Sequence, residues 1–190
     1  MSLHNLQINN NWTLFLDRDG VINRRLPGDY VKSPDTFVFL PGVLDAMQVF
    51  ARFFGRIFVV TNQQGIGKGL MKESDLKVIH DFMLAEIKKS GGRIDQVYFC
   101  PELADSGSFM RKPNIGMGLK AKKEFPEINF RNSIMVGDSV SDLRFGKRLK
   151  MKTVLIGEEP EIARIHPELA DFYFSDLLNF ANALQQNNSN

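Results

Sequence analysis

The sequence predicts an α/β fold, a doubly wound parallel sheet with helices on both faces. Three observations carry that expectation. Short apolar runs alternate with longer stretches whose apolar residues recur at helical spacing. The short runs are hydrophobic at consecutive positions, as strands covered on both faces require. They end in polar or glycine residues, the places where a crossover unit turns.

Trp12 to Leu16 reads as the first strand, ending at Asp17-Arg18-Asp19-Gly20. Val43 to Phe54 has Val43, Leu44, Met47, Phe50, Ala51 and Phe54 at helical spacing, and Gly55 stops it. Arg56 to Val60 is a second strand, followed by Thr61-Asn62, and Ser74 to Lys89 a second amphipathic helix closed by Gly91-Gly92. Gln96 to Cys100 is a third strand, after which a polar loop runs to Pro113. Ile115 to Phe125 is a helix stopped at Pro126, and Ser133 to Val136 a strand ending at Gly137-Asp138. Asp142 to Leu149 is helical, Lys152 to Ile156 a strand, and Phe172 to Phe174 a last strand-like stretch before a helix from Ser175 to about Leu184. Residues 185–190 form a polar tail. With no internal repeat and no linker, one domain over residues 1–190 is expected.

The chain has 190 residues, 43% hydrophobic and 24% charged, within the range of globular proteins. A formal net charge of +2 gives no strong pull toward nucleic acid or a membrane surface. Cys100 is the single cysteine, so no intrachain disulfide can form, which suits a reducing cytoplasm. The polar start, residues 1–11, lacks the charged-then-apolar pattern of a signal peptide. No apolar run approaches the roughly 20 residues that span a bilayer.

In open parallel sheets ligands bind beyond the carboxyl ends of the strands. The residues there are Asp17 and Asp19, Thr61 and Asn62, and Asp138 with Asp142, while Arg111-Lys112 sits before the third helix. One aspartate after a strand commonly caps a helix or makes a turn. Several on one rim repel each other unless a cation neutralises them. Hard oxygen donors without His or Cys favour Mg²⁺ over zinc. A lysine and a hydroxyl beside such a metal suit the spread negative charge of a phosphoryl group.

These stretches also carry a family resemblance. Leu14-Phe-Leu-Asp17-Arg-Asp19-Gly20-Val-Ile-Asn23 resembles the first motif of the haloacid dehalogenase (HAD) superfamily, which has a Rossmann-like sheet. Val59-Val-Thr61-Asn62-Gln-Gln-Gly65 is similar to the second motif, Arg111-Lys112-Pro113 to the third, and Gly137-Asp138-Ser-Val-Ser-Asp142 to the fourth. The resemblance implies a phosphatase with Asp17 as nucleophile and Asp19 as general acid and then base. It further implies that Thr61 and Lys112 hold the phosphoryl group, with Asn62 binding phosphate or substrate beside them. Mg²⁺ would be bound by the Asp17 carboxylate, the Asp19 backbone carbonyl and Asp138, with Asp142 behind them or capping a helix. No large cap domain is expected, because only short segments separate the motifs.

Within the superfamily the chain resembles the histidinol-phosphate and heptose-bisphosphate phosphatases. The stretches that carry this are Asp19 to Asn23, Tyr30-Val31 through Phe37 to Val43, and Thr61 to Gly67. The segment Asp29 to Gly42 is more similar to the heptose enzymes, which remove the 7-phosphate of a manno-heptose 1,7-bisphosphate. The substrate implied is thus a small phosphorylated metabolite, with Arg111 contacting it beyond the reacting phosphate. Many members hold a structural zinc through Cys-x-His and a later Cys-x-Cys. Here Cys100 is kept, but the other positions read Glu102, Ser108 and Met110, so no zinc is expected.

Gly65-Ile-Gly67-Lys68-Gly69 lacks the upstream glycine and the Ser/Thr of a P-loop and reads as a loop. A nucleic-acid 3′-phosphatase is the lesser enzyme alternative, resting on Arg24, Arg25 and Lys32 near the first motif, against a near-neutral total charge. A catalytically silent binding module is the third reading, and the intact acid and lysine set argues against it. His4, His80 and His166 form no ligand spacing and are assigned solvated or packing roles. A cytoplasmic monomer is expected.

Overall fold

The computed structural model describes residues 6–157 and 161–187. His4 and the end of the polar tail, residues 188–190, lie outside them. Six strands form one parallel sheet: β1 (Thr13–Leu16), β2 (Arg56–Asn62), β3 (Gln96–Cys100), β4 (Ser133–Gly137), β5 (Lys152–Ile156) and β6 (Phe172–Phe174). Their order across the sheet is β3-β2-β1-β4-β5-β6. The chain winds outward from β1 in one direction, then returns to β4 on its other side and winds the opposite way. The topological switch point therefore falls between β1 and β4, whose register pairs Leu16 with Val136.

The expected fold class is borne out, for the reason the pattern indicated. Leu14, Leu16, Ile57, Val59, Ile134 and Val136 point to one face, where they pack against α1 (Val43–Phe53), α3 (Glu73–Lys89) and α7 (Leu177–Asn187). The alternate positions Phe15, Phe58, Val60 and Met135 point to the other, under α4 (Gly116–Glu124) and α5 (Val140–Arg148). Side chains alternate along a strand, so a continuous apolar run buries both faces at once.

Several elements differ from expectation. Strand β2 extends through Thr61 and Asn62, because its ladder with β3 continues to Phe99 and Cys100. Helix α5 starts at Val140, two residues early, since Ser139 takes the N-cap and Asp142 Oδ2 accepts from its amide (3.1 Å) and its hydroxyl (2.5 Å). Part of the glycine-rich stretch read as a loop forms one helical turn, α2 (Gln64–Gly67). A further short helix, α6 (Glu161–Ile165), lies between β5 and β6. Among the described residues no cap domain covers the strand ends. Residues 20–42 and 101–115 are largely irregular, with one short 3₁₀ turn at Pro34–Thr36, and parts of both line the space beyond the strand ends.

Candidate active site

The carboxyl ends of β1, β2 and β4 open into a cleft of about 480 Å³, walled on one side by residues 25–31 and on another by Arg111 and Lys112. Asp17 leaves β1 with its amide donating to Val136 of β4 (2.9 Å), which carries the ladder one residue past the strand. The neighbouring strands thus set Asp17 and Asp138 side by side. Two glycines permit that approach. A Cβ on Gly20, at φ +91°, would lie 1.9 Å from Asp138 Oδ2, and one on Gly137 would lie 2.1 Å from the Asp142 Cβ.

Lys112 is the cation at the centre. Its side chain is 1% exposed, and its Nζ lies 2.9 Å from Asp17 Oδ1 and 2.6 Å from Asp142 Oδ1, donating also to the Val60 carbonyl at 2.6 Å. Its backbone is held by Asn62, whose Oδ1 accepts from the Lys112 amide (3.0 Å) and whose Nδ2 donates to the Lys112 carbonyl (3.1 Å). Asn62, expected at the phosphate, lines the cleft and also clamps the third motif onto β2. Burial would drive the ammonium neutral, but Asp142 and then Asp17 outweigh it and hold its pKa above the ordinary lysine value.

The acids carry more negative charge than Lys112 neutralises. Asp17, Asp138 and Asp142 each bring a carboxylate oxygen within 4.8 Å of the others, and no other such group of acidic, His or Cys ligands occurs among the described residues. Burial, then repulsion from Asp142, pushes Asp17 up to about 6 despite Lys112. Burial, then Asp17, pushes Asp138 up to about 7, with Arg25 opposing through its Nη2 2.8 Å from Asp138 Oδ1. Crowded, partly protonated oxygens of this kind fit a hard divalent cation such as Mg²⁺. Asp142 differs: Oδ1 faces Lys112 and Oδ2 is taken by Ser139, so it braces the cluster from behind.

A pH signature follows from those two raised values. Between about pH 4, the unfolded carboxylate range, and pH 7 the folded, metal-free protein binds more protons than the unfolded chain. Its stability therefore falls as pH rises through that window. A cation that replaces the protons stabilises most where they are already gone. Millimolar Mg²⁺ is expected to raise the melting temperature by several degrees at pH 7.5 and much less at pH 5. Equal shifts at both pH values, read by thermal unfolding, would count against these acids as the binding site.

Asp19 lies in a different environment. Oδ1 accepts from Arg18 Nη2 and Asn23 Nδ2, both at 2.9 Å, and Oδ2 accepts from Gln63 Nε2 at 2.8 Å. Burial raises its pKa, but the Arg18 charge and these donors prevail and hold it below the ordinary value. Gln63 also donates to Thr61 Oγ1 (2.8 Å), tying Asp19 to the buried threonine. Arg111 faces the cleft with Nη1 on the Glu102 carbonyl (3.0 Å) and Nη2 on Gln64 Oε1 (3.4 Å).

All eight residues singled out from the sequence lie at the rim of this sheet. Sequence reasoning missed Arg25 as a partner of Asp138, and Asn23, Gln63 and Arg18 as partners of Asp19. The only signal for them was position, within or beside the first two motifs. Cys100 is fully buried at the end of β3 with its Sγ 3.8 Å from Ser108 Oγ, while Glu102 is exposed and Met110 half-buried.

Known proteins resemble this chain in sequence and in fold. The HAD-hydrolase-like family model matches residues 109–178. A D-glycero-alpha-D-manno-heptose-1,7-bisphosphate 7-phosphatase of Campylobacter jejuni is 42% identical over 147 residues, 77% of this chain and 83% of that one. A D-glycero-beta-D-manno-heptose-1,7-bisphosphate 7-phosphatase of Haemophilus influenzae is 32% identical over 183 residues, 93% and 98% of the two chains. The crystal structure of a D,D-heptose 1,7-bisphosphate phosphatase from B. bronchiseptica, complexed with magnesium and phosphate, superposes with a TM-score of 0.83 at 30% identity, covering 92% of this chain and 98% of that one.

Proposed function

The chain belongs to the heptose-1,7-bisphosphate phosphatase family of HAD-like hydrolases, and on that premise we propose that it is a Mg²⁺-dependent phosphomonoesterase cleaving the 7-phosphate of D-glycero-D-manno-heptose 1,7-bisphosphate. The observation that carries the chemistry is the buried Lys112 ammonium against Asp17 Oδ1, at the point where β1 and β4 part. A nucleophilic carboxylate needs its charge offset while a dianionic phosphate approaches, and a fixed ammonium does that without reorganising.

In this reading the Asp17 carboxylate attacks phosphorus in line and forms an aspartyl phosphate, expelling the sugar oxygen. Asp19 protonates that oxygen as it leaves, then takes a proton from the water that hydrolyses the acyl phosphate. Thr61 and Lys112 bind the phosphoryl oxygens, and Asn62 keeps Lys112 in place. The Asp17 carboxylate, the Asp19 carbonyl and Asp138 would hold Mg²⁺, which supplies charge neutralisation for the transferring group. Asp142 orients Lys112. Arg111 and the wall formed by residues 25–31 meet the remainder of the substrate.

The reading treats residues 1–190 as one domain acting as a cytoplasmic monomer on a small metabolite, with Mg²⁺ and without zinc. Among the described residues no helix is long and apolar enough to cross a membrane. The test is phosphate release with Mg²⁺ from both anomers of the heptose bisphosphate, histidinol phosphate, simple sugar phosphates and a 3′-phosphorylated oligonucleotide. One heptose bisphosphate anomer is expected to lead by at least about tenfold in kcat/KM, a difference worth about 1.4 kcal/mol in the transition state. A lead by histidinol phosphate or the oligonucleotide would transfer the assignment to that substrate.

A further inference from the structure

Between the two acids of the first motif lies a guanidinium that the proposed chemistry leaves without a task. Arg18 is 1% exposed, and its one carboxylate partner is Asp19, 2.9 Å away. Its Nη1 lies 3.2 Å from Nε2 of His80, a residue 62 positions later on the buried side of α3. A guanidinium can only donate, so Nε2 of His80 accepts and the ring proton is assigned to Nδ1. His80 is itself 7% exposed, with its ring tilted 62° to that of Phe99 and the ring centres 6.2 Å apart. Burial, then the Arg18 charge, depresses its pKa to about 3, so it stays a neutral acceptor throughout the working range.

Asp19 thus has three donors, and they are not equivalent. Asn23 and Gln63 belong to the same rim as Asp19. Arg18 alone is charged, and it alone is anchored outside the rim, through His80, to a helix packed on the sheet. Burying a guanidinium against a single carboxylate and a neutral ring carries a desolvation cost that an apolar side chain of similar volume avoids. Packing alone gives no reason for it, whereas fixing a carboxyl group that must meet a leaving oxygen does.

We propose that Arg18 and His80 are a positioning pair that fixes the Asp19 carboxyl group for proton transfer to the leaving oxygen; this rests on Asp19 being the general acid. In that step the bond from phosphorus to the sugar oxygen breaks and its electron pair stays on the oxygen; Asp19, ionised beside Arg18 in the free protein, takes up its proton as the dianionic phosphate arrives and passes it to that oxygen. General acid assistance is worth about 10²- to 10⁴-fold when the leaving group is a poor one. For p-nitrophenyl phosphate, whose phenolate leaves unaided, it is worth little. The parameter to compare is kcat/KM, which ends at leaving-group departure and so excludes the later role of Asp19 as base.

His80→Leu is expected to lower kcat/KM for the heptose bisphosphate by about tenfold or more, and for p-nitrophenyl phosphate by less than about threefold, with Mg²⁺ saturating. His80→Gln, whose carbonyl can accept from Arg18, is expected to recover most of the loss. Arg18→Lys keeps the charge but cannot reach Asp19 and His80 together. It is expected to show the same ester-selective loss, and serves if His80→Leu melts too low to assay. Equal losses on both esters, no loss on the alkyl ester, or His80→Gln no better than His80→Leu would overturn the pair. A wild-type enzyme inert toward both esters would instead overturn the phosphatase reading.

Discussion

Asp17→Asn is expected to lower phosphate release by about 10⁴-fold or more, the scale of loss when a covalent nucleophile is removed. The amide has nearly the shape of the carboxylate, and its oxygen can still accept from Lys112 Nζ and from the Arg18 amide, the two donors on Asp17 Oδ1. It cannot attack phosphorus usefully, so no acyl phosphate forms. The fold gives no reason for collapse. Asp17 is held near 6 by burial and by Asp142, so removing its charge relieves repulsion, and the metal-free variant is expected to melt no lower than wild type at pH 7.5. Two measurements decide the matter. Steady-state turnover on the best substrate sets the loss, and mass spectrometry of quenched enzyme seeks one added phosphoryl group on the Asp17 peptide, present in wild type and absent in the variant. Turnover within tenfold of wild type would remove Asp17 from the chemistry.

Lys112→Met has the second large effect, on stability as well as on rate. The ammonium is buried, in contact with Asp17 and Asp142, and donates to the Val60 carbonyl. Methionine fills the space but leaves two buried carboxylates without their cation. Breaking one partner out of a buried ion pair costs about 3–5 kcal/mol, and denaturant unfolding of the metal-free protein is expected to fall in that range. The double variant Lys112→Met with Asp142→Asn removes one of the stranded charges and is expected to regain part of the loss. The positive coupling between the two sites then measures their contact. Activity stays low in both, since neither can offset the charge at the phosphoryl group. A single-variant loss under about 1 kcal/mol, the scale of an exposed pair, would mean that Lys112 is not the buried counter-charge that the distances describe.

The metal experiment and these variants read the same electrostatics from opposite sides. Asp17, Asp138 and Asp142 crowd together, Lys112 offsets them from within the protein, and Arg25 reaches Asp138 from the loop that walls the cleft. Asp19, one residue from a buried guanidinium, sits low while Asp17 and Asp138 sit high. Two carboxylates two residues apart are thereby set to different protonation tendencies by their surroundings.

Much of this was legible in the chain itself. Alternating side chains make a run such as Leu14-Phe15-Leu16 bury both faces of a sheet, so its parallel, two-sided character follows from composition and period. Acids and glycines that interrupt those runs fall at strand ends, so the sequence alone places Asp17, Thr61 and Asp138 on one rim. Helix α5 shows where local reading stops short. Asp142 reads as its first residue, while Ser139 in fact caps it from three positions earlier. The tertiary structure alone decided which polar atoms share a proton: Asn62 with the backbone of Lys112, Arg25 with Asp138 across 113 residues, and His80 with Arg18 across 62. Sequence spacing sets the direction of a strand and the face of a helix. Hydrogen bonds depend on separations of tenths of an ångström, and those come only from packing both helix layers onto the sheet.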